Sequence, residues 1–456
     1  MLTYELKKAP GVPLYEALYR CIRADILSGN LAPGTKLPSK RALAANLKVS
    51  KITVEAAYDQ LLAEGYLRSR EKIGYFVETV ERQNIPSSTS QPVFPPKPSN
   101  LIDLTGGTGH FPFSVWSKLQ RQVLLEQGQA LLQPLPNQGI PQLRRAIADQ
   151  LAGFRGLPVD PENVLIGAGT DFLYNLLIQL LGRDKVYAVE DPGYSKIRKI
   201  YAAGGVVCNS APMDSQGVIP DSLGNAQVLH ISPSHHFPTG LITPLGRRQA
   251  LLDWANSAPD RFIIEDDYDT EFRFAAHPMP ALSGMDAQGK VIYMNTFSRT
   301  LAPSIRISYM VLPGPLMAQF REKLGFYSCT VPSFEQYTLS RFLEEGHFEK
   351  HINRMRKAYR ATRNRLITIL EHCPVSSRMS IQEQNAGLHF LLRVDSGLSD
   401  LELIARCEAL GVRVQALSHF YHDSQPPEAA ACLVVNYAGL TNEDLDRLEQ
   451  ILNEKL

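Results

Sequence analysis

Four acidic residues fall within five positions in Ile263-Ile264-Glu265-Asp266-Asp267-Tyr268-Asp269. Acids at the carboxyl end of a buried parallel strand point into the crevice where such sheets bind ligands. The same cluster could instead hold a divalent cation, although no second ligand cluster is visible in the chain. Gly167-Ala168-Gly169-Thr170-Asp171 precedes a helical stretch. Free N–H groups at a helix start bind phosphate, or the segment is a plain helix cap. Arg306 and Thr296 can complete a phosphate cup, or Arg306 is a surface charge after a strand. Tyr194, in Glu190-Asp191-Pro192-Gly193-Tyr194, offers a flat ring for stacking, or fills the core. Ser232-Pro233-Ser234-His235-His236-Phe237-Pro238-Thr239-Gly240 carries paired histidines. Adjacent residues rarely face one metal ion, so this reads as a turn lining the crevice. Arg299, in Thr296-Phe297-Ser298-Arg299-Thr300, sets a permanent cation just after the apolar run Val291-Ile292-Tyr293-Met294.

Positioning these groups requires a sheet with crossovers. Strands are expected at 186–189, 228–231, 262–264, 291–294 and 309–312, several apolar on both faces as buried parallel strands are. Helical stretches at 171–181 and 246–255 lie between them, the pattern of an α/β sheet. After about residue 330 the pattern changes to long helices, short strands at 388–392 and 433–436, and a last helix near 442–456. The expected architecture is a large, mostly parallel α/β domain over 101–456, with a smaller α+β lobe at about 330–456. Residues 81–100 hold five prolines and four serines and read as a linker.

Ahead of that linker, residues 1–80 read as a separate module. A helix over 12–29 begins with Pro13 at its first position, carries Leu14, Leu18, Ile22 and Ile26 on one stripe, and ends at Gly29. Ser39 can cap a short helix over 40–46. Ser50 can cap another, with Val54, Ala57, Tyr58, Leu61 and Leu62 on one face and Gly65 at its end. This is helix-turn-helix spacing, and residues 66–77 read as a two-stranded wing. The outward residues Lys51, Ile52, Thr53 and Ala56 sit at the end such motifs insert into the major groove.

Leu37-Pro38-Ser39-Lys40-Arg41, with Leu43-Ala44, and Val49-Ser50-Lys51, with Thr53-Val54 and Ala57-Tyr58, closely resemble the winged helix of GntR-family regulators. The resemblance implies that Ser39, Arg41, Ser50, Lys51 and Thr53 contact DNA, with Arg41 and Lys51 at phosphate or guanine. Lys72 of the wing joins that set. The later segments, in their order, resemble the fold-type-I aminotransferase domain of MocR-type regulators, a GntR subgroup. The cofactor implied is pyridoxal 5′-phosphate (PLP), which needs a phosphate cup, a carboxylate for its ring nitrogen, a stacking side chain and a lysine for a Schiff base. By resemblance Asp266 pairs with the ring nitrogen, Tyr268 with the ring oxygen and Tyr194 stacks. Gly169, Thr170, Asp171, Thr296 and Arg306 hold the phosphate, and His236 lies near the ring oxygen.

The chain departs from that pattern twice. The Schiff-base lysine position, seven residues before Arg306, is Arg299. A guanidinium is neutral in fewer than roughly one molecule in 10⁵ at pH 7 and is a poor nucleophile. The position of the arginine that grips a substrate carboxylate matches Val434, and Lys196 can serve an effector carboxylate instead. The resemblance therefore implies a double-stranded-DNA-binding regulator whose homodimeric, aminotransferase-like domain senses PLP or a PLP–amine adduct without a covalent bond. No catalytic residue is expected. An active PLP transferase with an accessory DNA domain is the alternative.

Composition agrees with a globular protein: 44% hydrophobic and 20% charged. The net charge of +1 conceals an asymmetry. Residues 1–80 hold 12 Lys and Arg against 8 Asp and Glu, the remainder 35 against 38. The excess permits nucleic-acid binding without demanding it. No apolar run approaches the ~20 residues of a membrane span, and the first ten residues lack the apolar core of a signal peptide. The six cysteines are scattered, so neither disulfides nor a zinc site is expected, and a reduced cytoplasm is the simplest compartment.

Overall fold

The computed structural model describes residues 2–4, 13–70, 73–79, 101–107, 111–272, 279–383, 387–423, 426 and 429–454. The expected linker at 81–100 and Lys72 lie outside the described residues. The chain divides into two compact units, Met1–Pro96 and Lys97–Leu456.

The first unit holds α1 (Leu14–Ser28), α2 (Lys40–Leu47), α3 (Lys51–Ala63) and the antiparallel hairpin β1 (Leu67–Arg70) and β2 (Gly74–Val77). Pro13 stands one position earlier than expected, at the cap of α1 with extended backbone. Its fixed φ suits both places, and the helical geometry begins only at Leu14. Leu18, Ile22, Leu43, Val54, Tyr58 and Leu61 form its buried core. Gly29 ends α1 in the left-handed conformation that glycine adopts without strain.

The second unit is built on an eight-stranded sheet and a smaller four-stranded one. In chain order the strands are β3 (Ile102–Asp103), β4 (Val164–Gly167), β5 (Val186–Asp191), β6 (Val207–Asp214), β7 (Gly217–Val218), β8 (Val228–Ile231), β9 (Phe262–Asp266), β10 (Val291–Thr296) and β11 (Ser308–Val311). The C-terminal strands are β12 (Met379–Gln382), β13 (His389–Val394), β14 (Val412–Arg413), β15 (Gln415–Ala416) and β16 (Cys432–Asn436). The large sheet runs β4-β11-β10-β9-β8-β5-β6-β7. Its central strands β10, β9, β8, β5 and β6 are parallel. β11 runs antiparallel between β10 and β4, which restores β4 to the common direction.

That arrangement has a direct consequence for chemistry. Strands β4, β5, β8, β9 and β10 share one direction, so their carboxyl ends open on the same edge. Both faces of the sheet are covered, by Leu173, Leu177, Ile264, Ile292 and Met294 on one side and by Leu229, Leu251, Ile263 and Val291 on the other. Each such side chain contributes roughly 1.5–3 kcal/mol by burial, enough to hold polar groups in place at the open edge. The smaller sheet runs β12-β13-β16-β15, and β3 pairs in parallel with β14. The start of the unit is thereby tied into the C-terminal lobe that the sequence places at about 330–456.

Candidate functional site

In the N-terminal unit the helix-turn-helix is held by its caps. The Ser39 hydroxyl accepts from the Ala42 N–H at 3.2 Å, and that of Ser50 from the Thr53 N–H at 3.1 Å. The Ser50 and Thr53 hydroxyls also share a 2.8 Å hydrogen bond. Three of the expected DNA contacts therefore also shape the helix ends. Lys40 ties α2 to α3 through Glu55 at 3.0 Å and Asp59 at 3.1 Å. Its neighbours behave differently: Arg41 and Lys51 are exposed and make no ion pair among the described residues. Ile52, beside them at the start of α3, is 76% exposed.

In the second unit each expected residue lies at the open edge of the large sheet. Gly169 caps the helix Thr170–Leu181 with φ +88°. A Cβ there would overlap the guanidinium of Arg306, so the absence of a side chain is what lets Arg306 lie across the helix start. Arg306 donates to the Ala168 carbonyl and to the Asp171 carboxylate, each at 3.3 Å. Lys196 reaches the same carboxylate at 2.7 Å. Asp171 lies in the first helical turn, its carboxylate shared by two cations. Lys196, one of them, is half-exposed and pairs with Asp171 here. Thr296 lies beside Ser308, which lies beside Gly167, across adjacent strands. Its hydroxyl accepts from the Ser308 hydroxyl at 2.8 Å and from the Ser298 N–H at 3.1 Å.

The acidic run separates into four roles. Glu265 accepts from the Leu282 and Ser283 N–H groups at 2.8 Å each. Asp267 is paired with buried Arg155 at 2.8 Å and accepts from the Tyr293 hydroxyl at 2.8 Å. Asp269 meets His235 at 2.7 Å. Asp266 alone keeps a free oxygen: Oδ2 accepts from the Tyr174 hydroxyl at 2.6 Å, while buried Oδ1 has no partner. His230 stands 3.5 Å from Asp266 Oδ2, held from behind by Tyr201 at 2.7 Å. Neighbours along a strand point to opposite faces, which is why these acids diverge. Among the described residues no group of three metal-ligating side chains converges.

Around that carboxylate the remaining residues line the edge. The Tyr268 hydroxyl is 3.3 Å from His235 Nδ1, and its ring stacks on the His235 ring. Burial, then Asp269, pushes the Tyr268 phenol well above its usual range, and Arg299 acts against them. Arg299 is exposed and makes no hydrogen bond or ion pair among the described residues, so no salt bridge to Asp266 neutralises it. His236 is fully buried; its Nδ1 meets Thr239 Oγ1 at 2.7 Å and its Nε2 has no hydrogen-bond partner. Burial pulls His236 down to about 3 and pushes Glu190, 3.7 Å away, up to about 8. At pH 7 the two therefore hold one proton on Glu190 and a neutral imidazole, not an ion pair. Tyr194, 49% exposed, meets Phe237 edge-on at 6.1 Å. Val434 is buried with Leu391, Phe420 and Phe237 in an apolar cluster.

Sequence reasoning missed Tyr174, His230 and Glu190. His230 left a signal, as the lone polar residue in Val228-Leu229-His230-Ile231. Tyr174 left a fainter one, one helical turn after Thr170.

Two families of known proteins match separate parts of the chain. The family described as aminotransferase class I and II matches residues 102–452, and that of bacterial regulatory proteins of the gntR family matches residues 14–77. An HTH-type transcriptional regulator of Bacillus subtilis, YdeL, is 37% identical over 97% of this chain and 97% of its own. The HTH-type pyridoxine biosynthesis transcriptional regulator PdxR of Corynebacterium glutamicum is 32% identical over 88% of this chain and 87% of its own. An archaeal alanine:glyoxylate aminotransferase structure shares the fold, with TM-score 0.67 and 23% identity over 78% of this chain and 91% of its own.

Proposed function

The chain belongs to the family of HTH-type transcriptional regulators that join a gntR-type domain to an aminotransferase class I and II domain, and from that premise we propose that it is a DNA-binding regulator whose second unit senses PLP, or a PLP–amine adduct, without a covalent bond. Asp266 carries this reading. It is a buried carboxylate with one oxygen unpartnered, and a protonated ring nitrogen satisfies it. An unpaired buried acceptor costs about 1–3 kcal/mol, which a ligand at this point recovers. Gly169 and Arg306 form a cradle that suits a phosphate, with the first-turn N–H groups of the helix as donors. Tyr194 offers the stacking face, and Tyr268 and His236 face the ring oxygen.

When bound, PLP supplies an electron-accepting ring and an aldehyde that condenses with amines. Arg299, at the position of the Schiff-base lysine, stays charged and supplies no nucleophile. Its free guanidinium suits the phosphate or the carboxylate of an adduct. Charge-assisted contacts of roughly 1.5–3 kcal/mol each support micromolar-range affinity after binding costs. A ligand that favours one of two conformations shifts their populations and, in a homodimer, the spacing of two DNA modules. Arg41 and Lys51, exposed and unpaired, serve operator phosphate or guanine, with Ser39, Ser50, Thr53 and Lys72 alongside. The compartment proposed is the cytoplasm.

Titration of the purified protein with PLP, followed by borohydride reduction and intact mass, tests this. Saturable binding without a reducible adduct is expected. A reducible adduct, or absence of binding, removes the non-covalent sensor. Amine-dependent conversion of PLP to pyridoxamine phosphate at enzyme-like rates would establish the transferase instead.

A further inference from the structure

The C-terminal lobe contains an apolar cavity that the cofactor reading leaves unused. Strands β13 and β16 alternate their side chains between two environments. Leu391 and Val434 face the apolar cluster that includes Phe237. Leu392 and Val435 face the opposite way, toward the helices His347–His372, Asp400–Ala409 and Asn442–Glu454. These helices do not close fully over the sheet. Between them lies a space of about 240 Å³, walled by aliphatic side chains such as Leu366, Leu370, Leu403 and Leu452. An engineered apolar cavity of ~150 Å³ stays dry and takes up benzene. At interior packing density this larger space accommodates a chain of about eight to ten carbon atoms.

Three charged residues line the space: Arg378, Arg406 and Asp395. All three are exposed, so they form its rim. Neither arginine has an ion-pair partner among the described residues, and Asp395 is bonded to neither guanidinium. The rim therefore presents two free cations against one carboxylate. An aliphatic interior with a net positive mouth matches one ligand chemistry: an unbranched chain ending in an anion. Guanidinium forks bind carboxylates through paired hydrogen bonds.

We propose that the small lobe carries a second ligand site, for a medium-chain aliphatic carboxylate whose chain fills the cavity and whose head group sits between Arg378 and Arg406. The inference does not rest on the PLP reading, since no residue is shared.

Calorimetric titration of the full chain with sodium decanoate, below its micelle concentration, tests it. Saturable binding of one decanoate per chain is expected. The double variant R378A/R406A should bind at least ten-fold more weakly, because each charge-assisted contact is worth about one order of magnitude or more. Both positions are exposed, and unchanged thermal unfolding will show that the variant folds. Butyrate should bind far more weakly than decanoate, and decyltrimethylammonium no better than R378A/R406A binds decanoate. Absence of saturable binding overturns the site. Undiminished binding in the variant, or equal binding of the cationic amphiphile, overturns the anionic head group. Butyrate binding as tightly as decanoate overturns the role of the cavity.

Discussion

In the N-terminal unit Arg41 and Lys51 stand in solvent without ion-pair partners among the described residues, whereas at the sheet edge of the second unit Asp267 and Arg155 are paired out of solvent at 2.8 Å. The contrast extends to the rest of each region. The module uses Ser39 and Ser50 as helix caps and, while pairing Lys40 with Glu55 and Asp59, leaves Arg41 and Lys51 without ion-pair partners among the described residues. Among the described residues the crevice leaves buried polar atoms without hydrogen-bond partners at Asp266 Oδ1 and at Nε2 of His230, His235 and His236. The difference follows from the ligands each suits. A duplex is a rigid polyanion, and exposed cations gain by releasing its counterions without prior organisation. A small cofactor has few atoms, so its site needs donors and acceptors already in position.

Protonation should separate the two regions most sharply. Burial raises Glu190 from 4.5 to about 8. A folded-state value above the unfolded one means stability that is complete below about 4.5 and lost as pH rises to about 8. The loss is on the order of 3–5 kcal/mol. His236 has the opposite sign: held at about 3, it contributes above its usual 6.5 and loses that contribution as pH falls toward 3. Urea unfolding of the second unit across pH 5–8 should show the Glu190 slope, and Glu190→Gln should flatten it while leaving the module's transition alone. An unchanged slope would break the contrast.

The double variant R41A/K51A should weaken binding to duplexes selected by the intact protein by about 100-fold, at roughly 1–3 kcal/mol per contact. The slope of log affinity against log salt should fall by about two if both contact phosphate. PLP binding should not change, and undiminished DNA binding would remove both residues from the interface. Asp266→Asn makes the reciprocal test. It should reduce PLP affinity by about 10- to 100-fold with DNA binding intact, read from the absorbance titration. Gly169→Ala should have the smallest effect, about ten-fold on PLP affinity. The new Cβ displaces Arg306 and strains a backbone at φ +88°. Equal affinity in the alanine variant would show that Arg306 does not hold the phosphate.

Much of this architecture was legible because local rules and tertiary packing agree. Ser39 and Ser50 cap the helices expected of them. The run Val228-Leu229-His230-Ile231 is a fully buried strand, as its apolar pattern implies. Pro13 shows the resolution of such rules, one position adrift at a helix start. Lys196 shows their limit, since its partner Asp171 lies 25 residues away. Spacing along a chain carries no information about such a pair.

By itself the sequence determined the two-part organisation, the helix caps, five strands of the large sheet and a permanent cation at Arg299. These follow from side-chain type, turn chemistry and hydrophobic period, which act over a few residues. Only the tertiary structure decided which partner each of the four neighbouring acids meets. Glu265, Asp266, Asp267 and Asp269 are alike in sequence, but each meets a different partner from a distant segment: a helix start, Tyr174, Arg155 and His235. The physical reason is that a buried carboxylate takes its role from whatever donors the fold brings to it, and those donors are set by packing, not by the carboxylate's own neighbours in the chain.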